Sequence, residues 1–263
     1  MDALAPNALL PAPQVNRARP EGPARLLFLA LVWIAAASAA SAASAFLIGV
    51  VVGAHNANHN LTHTWNVSPI YSILLMLVMA DVVLVLAGWG RGEIVGDGDA
   101  RAGLGLGPIR RPGLLLLFAT VGEALIFAWA VLLFVLLKPA QTDVLSTLFK
   151  AAPTAGTVVQ GVTLLCAVVL SPIWEEFFFR GWLWTGLRRY WGRLPVMFAT
   201  AIPWLLLHSF DGLLRPLFLI PAAILLSLAR EYCGGTRASL TLHVLNNLIA
   251  MVLVIFVAPL AHG

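Results

Sequence analysis

From Leu26 to Ala54 the chain runs 29 residues without one charged side chain. A helix rises 1.5 Å per residue and about 20 apolar residues cross a bilayer, so this run alone commits the chain to a membrane. It is too long for the apolar region of a cleaved signal peptide, although its Ala-Ser-Ala repeats resemble processing sites. It reads as a retained first span whose small residues permit close helix contacts. The rest follows suit: the sequence is 60% hydrophobic and only 11% charged, which excludes a water-soluble globule. The net charge of +4 is scattered at the ends of apolar runs, where membrane topology puts it, and does not mark a nucleic-acid partner. Cys166 and Cys233 form no CxxC or Cys/His grouping, so neither a disulfide framework nor a thiolate metal site is expected.

Seven spans follow from the apolar runs: Leu26–Ala54, Ile70–Trp89, Leu114–Leu137, Thr157 through Trp184, Leu194–Phe210, Leu217–Leu228 and Leu240–Leu260. The expected fold is an all-α polytopic membrane bundle of about seven transmembrane helices, eight being the alternative. Residues 1–25 read as a disordered cytoplasmic tail, 26–137 as a three-span region and 157–260 as the functional core. Arginine-rich segments at 91–111, 188–193 and 230–237 alternate with segments poor in basic residues. This places the N-terminus inside and the C-terminus outside. The Gly-rich stretch 91–111 needs no domain of its own. His55, His59 and His63 recur every four residues and could hold a metal on one helical face, but their Asn-rich setting reads better as a solvated connector.

Against this apolar background, Ser171-Pro172-Ile173-Trp174-Glu175-Glu176-Phe177-Phe178-Phe179-Arg180 stands out. A charge deep in a bilayer costs about 3 kcal/mol or more, so such residues pair or do chemistry. Arg180 lies four residues after Glu176 and shares its helical face, so these two can neutralise each other. Glu175 is left over, about 100 degrees round the helix, as a candidate general base. Pro172, which lacks an N–H, is expected to kink the helix just before the acids.

Counting from the nearest arginine cluster, Glu176 lies roughly 18 Å deep, His208 roughly 21 Å, His243 roughly 9 Å and Asn247 roughly 15 Å. One carboxylate, two imidazoles and an amide thus gather in the same half of the bilayer. A carboxylate and a neutral imidazole across a wet pocket can deprotonate a water, and an Asn amide or second imidazole can donate to the resulting oxyanion. His243 and Asn247 share a helical face, whereas Asn246 points away. Asp81 and Glu123 sit at similar depth with no basic partner in view and read as structural carboxyls.

Three motifs, Glu175-Glu176-x-x-x-Arg180, Trp204-x-x-x-His208 and His243-x-x-x-Asn247, resemble those of the CPBP family, the CAAX proteases and bacteriocin-processing (Abi) enzymes. The resemblance covers about Thr157 to Leu260. It implies a polytopic intramembrane endopeptidase of the bacterial cytoplasmic membrane, historically called a metalloprotease and now described as glutamate-dependent. It further implies Glu175 as base, Glu176 with Arg180 as paired support, His208 as the partner holding the water, and His243 with Asn247 as the oxyanion pair. The implied substrate is a membrane-associated or lipidated peptide or protein. No cofactor is expected; a zinc site on His208, His243 and Glu175 is the runner-up. The family's usual aromatic is Phe, and Trp204 in its place is expected to matter to packing more than to chemistry. Two other functions compete: a non-catalytic immunity or scaffold protein binding peptide in the same pocket, and a proton-coupled transporter, which lacks an inverted repeat in its support.

Overall fold

The computed structural model describes residues 21–58, 69–137, 157–211 and 213–253. Every regular element among them is helical. In chain order these are α1 (Pro23–Asn58), α2 (Pro69–Val95), the single turn α3 (Ala100–Gly103), α4 (Pro112–Leu137), α5 (157–187), α6 (Arg193–Leu207), α7 (Arg215–Tyr232) and α8 (Thr236–Val252). Three segments are long and apolar enough to cross a membrane: Pro23–Ala54, Pro112–Leu137 and Gln160–Leu187. The expected tail 1–25 lies outside the described residues up to position 20, and α1 already begins at Pro23. His59 and His63 also lie outside them.

Large apolar side chains cover much of the outer surface, while several charged ones are buried within the bundle. Phe28, Phe46, Leu116, Leu125 and Leu136 are more than 60% exposed, whereas Asp81, Glu123, Glu175, Glu176, Arg180 and His243 are buried. Apolar groups gain nothing by leaving a hydrocarbon solvent, so only the polar groups need the interior.

Helix α5 is the axis of the bundle. Phe178, Phe179, Trp182, Leu183 and Leu187 are fully buried on it, and it packs against α1, α2, α6 and α8. The kink expected at Pro172 takes the form of widened turns on either side. Cys166–Leu170 and Glu176–Leu183 are π-helical, with the short α-helical stretch Ser171–Glu175 between them. The Ser171 N–H reaches back five residues to Cys166 and Pro172 has no N–H to give, so the ladder is reset rather than bent at one point. A third wide turn, Phe118–Gly122, ends just before Glu123 in α4, so wide turns adjoin the buried acids of both α4 and α5.

Two element ends differ from the sequence expectation. Helix α2 continues to Val95, past Trp89, and takes Arg91 into the helix. Helix α6 stops at Leu207, and His208 opens a tighter 3-10 turn, His208–Asp211, instead of continuing the span to Phe210. The stretch after α2 is also more ordered than a plain connector. Asp99 caps α3 by accepting from the Arg101 and Ala102 N–H groups at 2.9 and 3.3 Å.

The three basic segments meet at one end of the bundle. Arg189 donates to the Val95 carbonyl, the Arg110 N–H donates to the Cys233 carbonyl at 2.9 Å, and Thr236 donates to the Leu104 carbonyl at 2.6 Å. Segments 91–111, 188–193 and 230–237 therefore share one face, as the charge alternation requires.

Candidate active site

The two acids leave α5 at the junction where its α-helical stretch gives way to the wide turn. Glu176 and Arg180 are both fully buried, with Nη1 to Oε1 at 3.3 Å, and this is the ion pair that the four-residue spacing predicts. The Arg180 guanidinium also lies over the Trp204 ring, 4.8 Å from its centroid. The Arg180 backbone is held as well: Arg230 Nε donates to its carbonyl at 2.7 Å, and Thr236 Oγ1, whose hydrogen points at the nearer Leu104 carbonyl, lies 3.1 Å from it. Neither Arg230 nor Thr236 stands out in the sequence, because an arginine at a membrane boundary reads as topology.

His243 on α8 spans both acids. Its Nδ1 is 3.0 Å from Glu176 Oε1 and its Nε2 is 3.6 Å from Glu175 Oε2. A carboxylate paired with Arg180 accepts only, so Nδ1 carries the hydrogen. In the neutral ring Nε2 then presents its lone pair toward Glu175. The 3.6 Å separation is too long for a direct hydrogen bond.

Trp204 on α6 is the hub of the cluster. Its indole N–H donates to Glu175 Oε2, and its ring lies 4.6 Å from that of His208 and 5.7 Å from that of His243. Trp in place of Phe is expected to matter to packing more than to chemistry; the structure adds a polar contact to the packing, because the extra N–H donates to the candidate base. The signal was present in the sequence, since a buried indole N–H needs an acceptor.

His208 does not touch Glu175 directly. Its Nδ1 lies 2.9 Å from the Trp204 carbonyl, an acceptor, so the hydrogen sits on Nδ1 and Nε2 keeps its lone pair. Ending α6 at Leu207 leaves His208 in the tight turn, with its ring tilted 56° against that of Trp204.

The two asparagines part company as their positions on α8 require. Asn247 Nδ2 donates to the Ala167 carbonyl at 2.8 Å, and Asn246 Nδ2 donates to Glu123 Oε2 at 2.8 Å. In a widened turn the Ala167 carbonyl would take its hydrogen from residue 172, which is a proline. Asn247 thus supplies the donor that Pro172 lacks, and its second amide hydrogen remains for another acceptor. Asp81, the other carboxyl without an evident partner in the sequence, accepts from Ser171 Oγ at 3.1 Å.

Among the described residues no three His, Cys, Asp or Glu side chains converge as metal ligands. His243 turns its two nitrogens to two different glutamates, and one nitrogen of His208 is occupied by a carbonyl.

Residues 157–249 match the family described as Type II CAAX prenyl endopeptidase Rce1-like. The matched segment contains α5, α6, α7 and most of α8, and with them all three motifs; the helices before residue 157 lie outside it. No curated protein and no solved structure matches the chain.

Proposed function

We propose that this segment, similar to type II CAAX prenyl endopeptidases, is the core of an intramembrane endopeptidase that hydrolyses a peptide bond in a membrane-associated or lipidated substrate. The observation that carries the reading is the buried chain of contacts from Glu176 through His243 to Glu175, closed by Trp204. A purely structural ion pair needs Glu176 and Arg180 only. It gives no reason to bring a second carboxylate, two imidazoles and an indole N–H to the same place.

Water held between Glu175 and the His208 Nε2 lone pair loses a proton to the Glu175 carboxylate as its oxygen attacks the scissile carbonyl. The tetrahedral oxyanion is met by the second amide hydrogen of Asn247. Glu175 then returns the proton to the leaving amine as the C–N bond breaks, giving a carboxylic acid and an amine. His243 fixes the spacing of the two acids, and the Glu176–Arg180 pair anchors His243. No metal is required for these steps; a zinc ion on His208, His243 and Glu175 is the alternative that chelation tests.

In this reading α2, α6, α7 and α8 cross the bilayer together with the three long apolar segments. The face carrying the arginine segments lies in the cytoplasm, and the protein sits in a bacterial cytoplasmic membrane.

The test is cleavage of a membrane-anchored peptide library by the purified chain in proteoliposomes, with new termini read by mass spectrometry. Glu175→Gln keeps shape and removes the base, so turnover should fall by about 100- to 10,000-fold while the protein stays folded. Cleavage by Glu175→Gln at the wild-type rate overturns the assignment. Peptide binding by the wild type without any cleavage favours the immunity or scaffold reading.

A further inference from the structure

At the end of the bundle where the arginine segments meet, Arg110, Arg111, Arg193, Glu231, Tyr232 and Gly234 line a cavity of about 260 Å³ that opens to the surface. It lies outside the acid cluster, and the proposed hydrolysis makes no use of it. Its walls come from three parts of the chain: the approach to α4, the start of α6 and the turn between α7 and α8.

The charges do not cancel. Arg193 Nε is 2.8 Å from Glu231 Oε1, and Arg188 reaches the same oxygen at 3.6 Å. Arg193 also lies over the Tyr232 ring, 5.8 Å from its centroid. Glu231 is thus occupied in orienting arginines, while Arg110 and Arg111 have no ion-pair partner among the described residues. Burial raises the nearby Cys233 thiol above its ordinary value, and the Arg111 charge pulls it the other way.

The cavity is built into the backbone. Gly234 has φ +110, and a Cβ there would stand 2.7 Å from the Arg110 nitrogen and the Pro108 oxygen. Only glycine lets the α7–α8 turn approach this closely, and the Arg110 N–H to Cys233 carbonyl bond clamps the two walls together.

A planar guanidinium presents paired N–H donors that match phosphate oxygens. The cavity is smaller than the about 300–1,000 Å³ that encloses a drug-sized molecule, so it fits a headgroup rather than a whole lipid. Strongly exposed apolar side chains continue from its rim, Leu194 and Phe198 on α6 and Leu116 on α4, with Ile109 less exposed on the approach to α4. They offer acyl chains a surface to lie on.

We propose that this cavity binds the phosphate of an anionic phospholipid, with the acyl chains lying along α4 and α6. The proposal does not rest on the peptidase reading. It carries a consequence for that site, because Arg230 and Thr236 flank the turn that lines the cavity; Arg230 donates to the Arg180 carbonyl, and the Thr236 hydroxyl lies 3.1 Å from it. Filling the cavity steadies the turn and, through it, the helix that bears the acids.

The full chain is purified into nanodiscs of phosphatidylcholine alone or with phosphatidylglycerol, and retained lipid is counted by native mass spectrometry alongside thermal unfolding. The wild type should retain phosphatidylglycerol over phosphatidylcholine and melt higher in its presence. Arg110→Gln with Arg111→Gln should weaken retention by about 10- to 30-fold and abolish the thermal gain, with melting in phosphatidylcholine unchanged. Arg101 and Arg237, exposed as Arg110 and Arg111 are, lie on the same face outside the cavity lining, and replacing both with Gln should leave retention intact. If the double cavity variant does not accumulate, Arg111→Gln alone serves. Inorganic phosphate added without anionic lipid separates the sources: stabilisation that requires Arg110 and Arg111 identifies a phosphate site filled from solution. Equal retention of both lipids, or equal loss in the Arg101/Arg237 control, overturns the proposal and leaves the arginines as topology signals.

Discussion

The Trp204 indole N–H donates to Glu175 Oε2, so the aromatic residue of the second motif is bonded to the first acid of the first motif. A hydrogen bond to a charged group contributes about 1.5–3 kcal/mol. Trp204→Phe keeps an aromatic ring in place, removes this donor and trims the ring that packs against Arg180, His208 and His243. It is expected to fold and to lose about 10- to 150-fold in kcat/KM. An unchanged kcat/KM in a folded Trp204→Phe protein returns the residue to packing.

Glu176 should respond differently from Glu175. Glu176→Gln leaves Arg180 fully buried beside a neutral amide and weakens the anchor of His243. Removing one partner of a buried pair costs about 3–5 kcal/mol. The expected result is reduced accumulation and a lower Tm, whereas Glu175→Gln should keep the wild-type Tm and lose turnover. Equal melting of the two variants contradicts this division of labour.

Asn247 and Pro172 should be coupled. Asn247→Ala strips the Ala167 carbonyl of its donor, at a cost of about 1–3 kcal/mol for a buried unpaired group. Pro172→Ala restores a backbone N–H. In a double-mutant cycle, Asn247→Ala should therefore cost less stability on the Pro172→Ala background. Additive losses would show that the amide does not stand in for the missing N–H.

Activity should survive chelation. The proposed water is activated by Glu175 and His208, so protein stripped of metal should cleave at its original rate. Loss that is restored by stoichiometric zinc makes His208, His243 and Glu175 ligands instead.

Arg101→Cys and Gly192→Cys should label from the same side of the membrane, because the arginine segments they belong to share a face. A Cβ at Gly192 meets nothing within 4 Å, and both native cysteines are buried, so background labelling is low. A cysteine at Asn60 should label from the opposite side. Labelling of Gly192→Cys and Asn60→Cys from one side breaks the proposed span count.

Much of this protein is fixed by local chemistry and is therefore readable along the chain. Apolar runs longer than a bilayer is thick can only be membrane helices. An acid and an arginine four residues apart on an apolar helix can only face each other, and Glu176 with Arg180 does so. Helical periodicity also separates Asn246 from Asn247, which take different partners as their positions require. Contacts between helices obey no such rule. That Trp204 reaches Glu175, that His243 lies between two acids, and that Asn247 serves a carbonyl left open by Pro172 all depend on the rotation and depth of α6 and α8 against α5. Those are set by packing, by the wide turns beside Pro172 and by the early end of α6 at Leu207. The cavity of Arg110, Arg111 and Arg193 is further still from the sequence, where each arginine marks only a membrane boundary. It exists because Gly234, with its positive φ, lets two turns far apart in the chain close against each other.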